Sequence, residues 1–134
     1  MTRSRSRSLL GMLFVLAGLN HFRQPGFYGR MMPDYLPAHE ELVAASGYAE
    51  IALGVLAFFP RLRGLTRWGL IALLVAVFPA NLHMALHPER YPRLPPILLW
   101  LRLPLQPALM AWVWWATTPS QKRSDVTTLP RQSS

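Results

Sequence analysis

Four apolar runs, each cut off by proline or arginine, decide what this chain can fold into. They cover residues 9–22, 42–59, 68–86 and 96–117, and the breaks between them hold Pro25, Pro33 and Pro37, then Pro60 with Arg61, Arg63 and Arg67, then Pro88, Pro92 and Pro95. Apolar runs of this length with few charges read as membrane-crossing helices, because in lipid a helix satisfies its own backbone polar groups. Short connections then make neighbouring helices antiparallel. The expected fold is all-α: a four-helix transmembrane bundle of up-down topology, one domain over residues 1–118, followed by a polar, disordered tail over 119–134. The first run would be about 21 Å long as a helix, short for a hydrocarbon core of about 30 Å, so it needs support from its neighbours. A cleaved signal peptide fits it less well, since Ala17-Gly18-Leu19 leads into Asn20-His21-Phe22 rather than a polar mature start.

Charge supplies the orientation. Arg3, Arg5 and Arg7, the turn with Arg61, Arg63 and Arg67, and the tail with Lys122, Arg123 and Arg131 all fall on one side of such a bundle. On the other side Arg23, Arg30, Arg90 and Arg93 are offset by Asp34, Glu40, Glu41 and Glu89. Basic residues stay on the cytoplasmic side, which puts both termini in the cytoplasm. The net charge of +8 and the Arg-Ser repeat at residues 3–8 are therefore read as a topology anchor, and no nucleic-acid partner is expected. Residues 23–41, broken by proline and glycine yet carrying Phe27, Tyr28, Met31, Met32, Tyr35 and Leu36, suit an interfacial loop over the outer mouth of the bundle. The chain has no cysteine, so any redox chemistry would need a bound cofactor or a partner.

Glu50 is the one acid inside the four runs. A charge at bilayer depth costs roughly 3 kcal/mol on insertion scales and therefore faces a protein interior and finds a partner. Gly47, Glu50 and Gly54 share a helical face of small residues that admits another backbone closely. On the expected topology His21, Glu50, Asn81, His83, Arg102 and Gln106 come to similar depth in the outer half, leaving the inner half apolar. These six are the candidate ligand or proton-relay residues, with a Glu50–Arg102 ion pair at their centre. The pair suits a structural tie as well as a working site. His83 and His87 stand one turn apart, as metal ligands often do, but the spacing offers no third ligand and no metal is expected. Haem ligation by His21 and His83 is the weaker cofactor reading. Asn20 and Gln106 suit interhelical hydrogen bonds. The tryptophans, gathered mainly near helix ends, suit an aromatic belt.

The segments Gly18-Leu19-Asn20-His21-Phe22, Met32-Pro33-Asp34-Tyr35-Leu36-Pro37, Ser46-Gly47-Tyr48-Ala49-Glu50, Pro60-Arg61-Leu62-Arg63, Trp68-Gly69-Leu70, Phe78-Pro79-Ala80-Asn81-Leu82-His83-Met84 and Leu101-Arg102-Leu103-Pro104-Leu105-Gln106 together resemble the DoxX-like family of small bacterial membrane proteins. The resemblance runs over residues 9–115. It implies a four-helix, multi-pass protein of the inner membrane, some of whose relatives serve membrane redox or oxidative-stress systems, and it transfers no catalytic set. Two function classes follow. In one, the chain is a subunit or accessory of a quinone-linked redox system, working with a redox partner protein or as a homo-oligomer in the lipid bilayer. A quinone carbonyl would accept from Arg102 or a histidine while Glu50 exchanges the proton. In the other it is a noncatalytic membrane scaffold or small-molecule-binding protein whose polar belt holds the helices together.

Overall fold

The structure, a computed structural model, describes residues 1–119, so the expected tail lies, but for Pro119, outside the described residues. Among the described residues five α-helices form: α1 (Arg3–Arg23), α2 (Pro25–Met31), α3 (His39–Leu56), α4 (Arg63–Leu86) and α5 (Pro96–Thr117). Single 3-10 turns, Pro60–Leu62 and Pro88–Arg90, lead out of α3 and α4, and no strand occurs among the described residues. The all-α expectation holds.

Local chemistry explains where the bounds depart from the apolar runs. Helix α1 starts six residues early because Thr2 caps it, its hydroxyl accepting from the Arg5 amide at 3.2 Å, and because arginine is a good helix former. Pro25 opens α2 at a position that needs no amide donor. Helix α3 runs three residues ahead of its apolar run: Glu40 and Glu41 favour the first turn electrostatically, and Phe59, ahead of Pro60, is extended. Ala38, which precedes α3, is left-handed at φ 56°.

Helices α1 and α3 pack antiparallel along their whole lengths, as do α4 and α5. Contacts from α3 to α4 and from α1 to α5 close the ring, leaving α3 diagonal to α5. One apolar core joins Leu10, Phe14, Leu70, Leu74, Val113 and Ala116; a second, at the α2 end, joins Met31, Met84, Ala85, Tyr91 and Leu99. The α2 segment thus packs onto the bundle, fixed by the Tyr91 hydroxyl donating to the Arg30 carbonyl.

Two stretches, Pro60–Leu86 and Pro96–Thr117, are long and apolar enough to cross a membrane. The sequence suggested four such spans. Arginines at 3, 5 and 7 dilute α1, and α3 fits three glutamates into eighteen residues.

Candidate functional site

The six candidate residues do not converge on one point. They divide among three places between the α2 end and the middle of the bundle.

The first lies in the α1–α3 seam. Gly47 lets α1 come so near that a Cβ there would stand 3.0 Å from the His21 Cβ, and Glu50 follows one turn on. His21 Nδ1 lies 2.9 Å from the Ala17 carbonyl oxygen and 3.0 Å from Glu50 Oε2, with both side chains buried. With Nδ1 bonded to Ala17, Glu50 Oε2 is left without a well-aligned hydrogen bond, so the carboxyl group touches the imidazole off the donor line. Tyr28 of α2 stacks on the imidazole, ring centroids 3.8 Å apart, and its hydroxyl accepts from Asn20 Nδ2 at 2.8 Å. Tyr28 escaped the sequence reading because it sat in a segment read as loop; its phenol three residues after a helix-breaking proline was the available signal.

The second place is the end of α4. The His83 and His87 rings are 4.4 Å apart, and His87 Nδ1 sits 2.9 Å from the His83 carbonyl oxygen. They share a shallow groove of ≈ 440 Å³ with Pro33, Asp34 and Tyr35 of the loop after α2. Asp34 and Arg90 tie that loop down through two hydrogen bonds of 2.9 and 3.2 Å. The Arg90 guanidinium holds the Asp34 carboxyl below its ordinary value of 3.8. Asn81 is half-buried on the same helix, about 200° round from His83. No three His, Asp or Glu side chains among the described residues gather as metal ligands would.

The third place is on α5. Arg102 Nη1 donates to the Met84 sulfur at 3.0 Å and Gln106 Nε2 to the Leu74 carbonyl at 2.8 Å. Arg102 lies in an apolar groove of ≈ 680 Å³ with Phe27, Leu94, Leu98, Leu99, Leu101, Pro104 and Leu105. Nearby, burial raises the Tyr91 hydroxyl above its usual 10.0, while the charges of Arg90, Arg30 and Arg102 pull it the other way.

The expected Glu50–Arg102 ion pair is absent among the described residues, where Glu50 lies against the His21 imidazole and Asp34 pairs with Arg90. The cause is the ring: α3 and α5 face each other across its diagonal, so the acid turns to α1 and the arginine to α4. Nor is the far half of the bundle purely apolar. Arg7, buried, donates to the Ala57 carbonyl at 2.9 Å, and Arg67 donates to the Thr117 and Thr118 hydroxyls while lying 4.2 Å from the Trp114 ring centroid. Arg3 donates to the carbonyls of Thr118 and Pro119. Arginines expected as loose anchors therefore cap the ends of α3 and α5, where helix carbonyls lack partners and carry negative charge.

Among known proteins, no curated protein and no solved structure matches the chain. Residues 10–117 match a domain of unknown function, DUF8561. That match overturns the resemblance to the DoxX-like family, which rested on segments of three to seven residues, each short enough to recur in unrelated chains. With residues 10–117, well over half of the chain, matched, the chain belongs to the DUF8561 family.

Proposed function

We propose that this chain is a multi-pass membrane protein whose four long helices all lie in the bilayer, and that its α2 end holds a small amphiphilic molecule without catalysing a reaction on it. The observation that carries the reading is Arg102. Its guanidinium is half-buried in an apolar groove, and its hydrogen-bond partner among the described residues is a thioether, a weak acceptor. A fixed charge so poorly compensated in apolar surroundings favours a ligand that brings acceptor atoms with it. The groove volume falls in the range of about 300–1,000 Å³ usual for small-molecule sites.

Bilayer placement of all four helices draws support from their outward faces. Leu13 and Leu16 of α1, Tyr48 and Val55 of α3, Leu65 and Val75 of α4, and Leu101 and Leu105 of α5 are exposed. Water-soluble monomers rarely leave apolar surface on every face. The basic ends of α1 and α4 favour an inner-membrane orientation with that end cytoplasmic.

A quinone-linked proton relay through His21 and Glu50 is the second reading, favoured by their 3.0 Å approach. Against it, Tyr28 roofs the pair, and neither residue lines the grooves beside α4 and α5. A mass-spectrometric inventory after gentle extraction separates the two. An amphiphile retained by the wild type and lost from Arg102→Gln is expected. A quinone lost on Glu50→Gln but kept in Arg102→Gln would favour the relay, and an empty wild-type protein would contradict both.

A further inference from the structure

The Arg102 groove does not end at the helix. It shares Phe27 and Leu94 with a second groove of ≈ 640 Å³, whose lining includes Arg30, Arg90 and Arg93. Among the described residues neither lining contains a carboxylate. Asp34 neutralises Arg90, whereas Arg30, Arg93 and Arg102 form no ion pair among the described residues. In the other direction the surface continues along α5 over Leu98, Leu101 and Leu105, spaced three and four apart and all exposed. A basic rim thus opens directly onto an apolar stripe, and both belong to one continuous surface.

We propose that this surface binds an anionic phospholipid, its phosphodiester held by Arg30 and Arg93 at the rim and an acyl chain lying along Leu98, Leu101 and Leu105 past Arg102. The inference rests on the small-molecule reading above and names the ligand class. Guanidinium groups suit phosphate oxygens because their paired N–H donors match them two at a time. A free phosphate ion would use the arginines and leave the leucine stripe uncovered; a neutral lipid would do the reverse. A zwitterionic headgroup would bring a second cation towards three arginines. An anionic amphiphile alone matches both halves.

The test uses the full chain in phosphatidylcholine nanodiscs doped with phosphatidylglycerol, with the retained lipid read by native mass spectrometry. Phosphatidylglycerol should be enriched about tenfold over phosphatidylcholine, equivalent to ~1.4 kcal/mol. Arg30→Gln and Arg93→Gln should each lower the enrichment about threefold or more and abolish it together. Both residues are exposed, so these variants should melt like the wild type. Arg61→Gln, at the opposite end, should bind as the wild type does. Equal retention of both lipids, or enrichment that survives the double variant, would overturn the proposal. Complete displacement by millimolar inorganic phosphate would overturn it too, assigning the rim to a soluble anion. Lipid retained without headgroup preference but lost from Arg102→Gln would leave the small-molecule reading standing and remove this one; a protein stripped of all lipid would remove both.

Discussion

Gly11 and Gly54 meet backbone to backbone: a Cβ on Gly11 would stand 2.6 Å from the Gly54 carbonyl oxygen, and one on Gly54 2.7 Å from the Gly11 oxygen. Seven residues along each helix, in opposite directions, Gly18 and Gly47 repeat the approach at 2.7 Å. Two turns of close contact fix the register of α1 on α3, and that register sets His21 beside Glu50. In the bilayer placement proposed above, α1 and α3 would gain little from burying apolar surface against each other, so packing this close would be a main source of their association.

Gly11→Ala and Gly54→Ala should therefore each destabilise the protein by about 1–3 kcal/mol, since the backbone oxygen they meet cannot swing aside. Gly26→Ala meets nothing within 4 Å and should be near neutral. Unfolding in detergent, followed by helical circular dichroism, measures all three. Equal stability of Gly11→Ala and Gly26→Ala would mean the seam is looser than described.

A double-mutant cycle separates the two partners proposed for Glu50. Glu50→Gln and His21→Gln should interact by more than about 0.5 kcal/mol, the usual limit of additivity for separate sites, while Glu50→Gln and Arg102→Gln should add. Coupling with Arg102 instead of His21 would refute the diagonal placement of α3 and α5.

Ala38 holds a left-handed backbone that costs a residue with a Cβ about 1–2 kcal/mol. Part of that is offset because glycine loosens the unfolded chain. Ala38→Gly should raise stability by about 0.5–1 kcal/mol in the same unfolding measurement, and a loss of that size would show that the turn does not carry the strain.

Acid should loosen the loop between α2 and α3. Arg90 depresses the Asp34 pKa in the folded protein, so the tie is fully present above 3.8 and is lost as the pH falls through the depressed value. Relative to the intrinsic exchange rate, protection of the amides of residues 34–36 and 38 should fall on acidification below about pH 4 in the wild type. In Asp34→Asn that protection should already be low at neutral pH and change little. A wild-type loop indifferent to acid would remove Asp34–Arg90 as its tether.

Much of the helical order was legible because apolar runs and proline punctuation act locally. Pro25, Pro60 and Pro96 mark helix starts or turns, and the Gly47–Gly54 face of α3 indeed packs on α1. What could not be read locally was the order of helices around the ring. Depth along a helix follows from residue counting, so Glu50 and Arg102 fell at one level; which neighbour each faces depends on packing across the bundle, and that placed His21 and Met84 beside them. Arg7 misled for a related reason. It looked like a solvated anchor, and only the fold brings the end of α3 within its reach.

Placement of all four long helices in the bilayer is tested most directly by single-cysteine labelling, for which a chain without native cysteine is suited. Cysteines at the exposed positions Ser4, Tyr35, Arg61 and Arg93 report both ends of α1, α3 and α4 and the start of α5. In intact spheroplasts an impermeant maleimide should label Tyr35→Cys and Arg93→Cys and leave Ser4→Cys and Arg61→Cys untouched until lysis. Labelling of Arg61→Cys together with Tyr35→Cys before lysis would put both ends of α3 on one side of the membrane and contradict the four-span bundle.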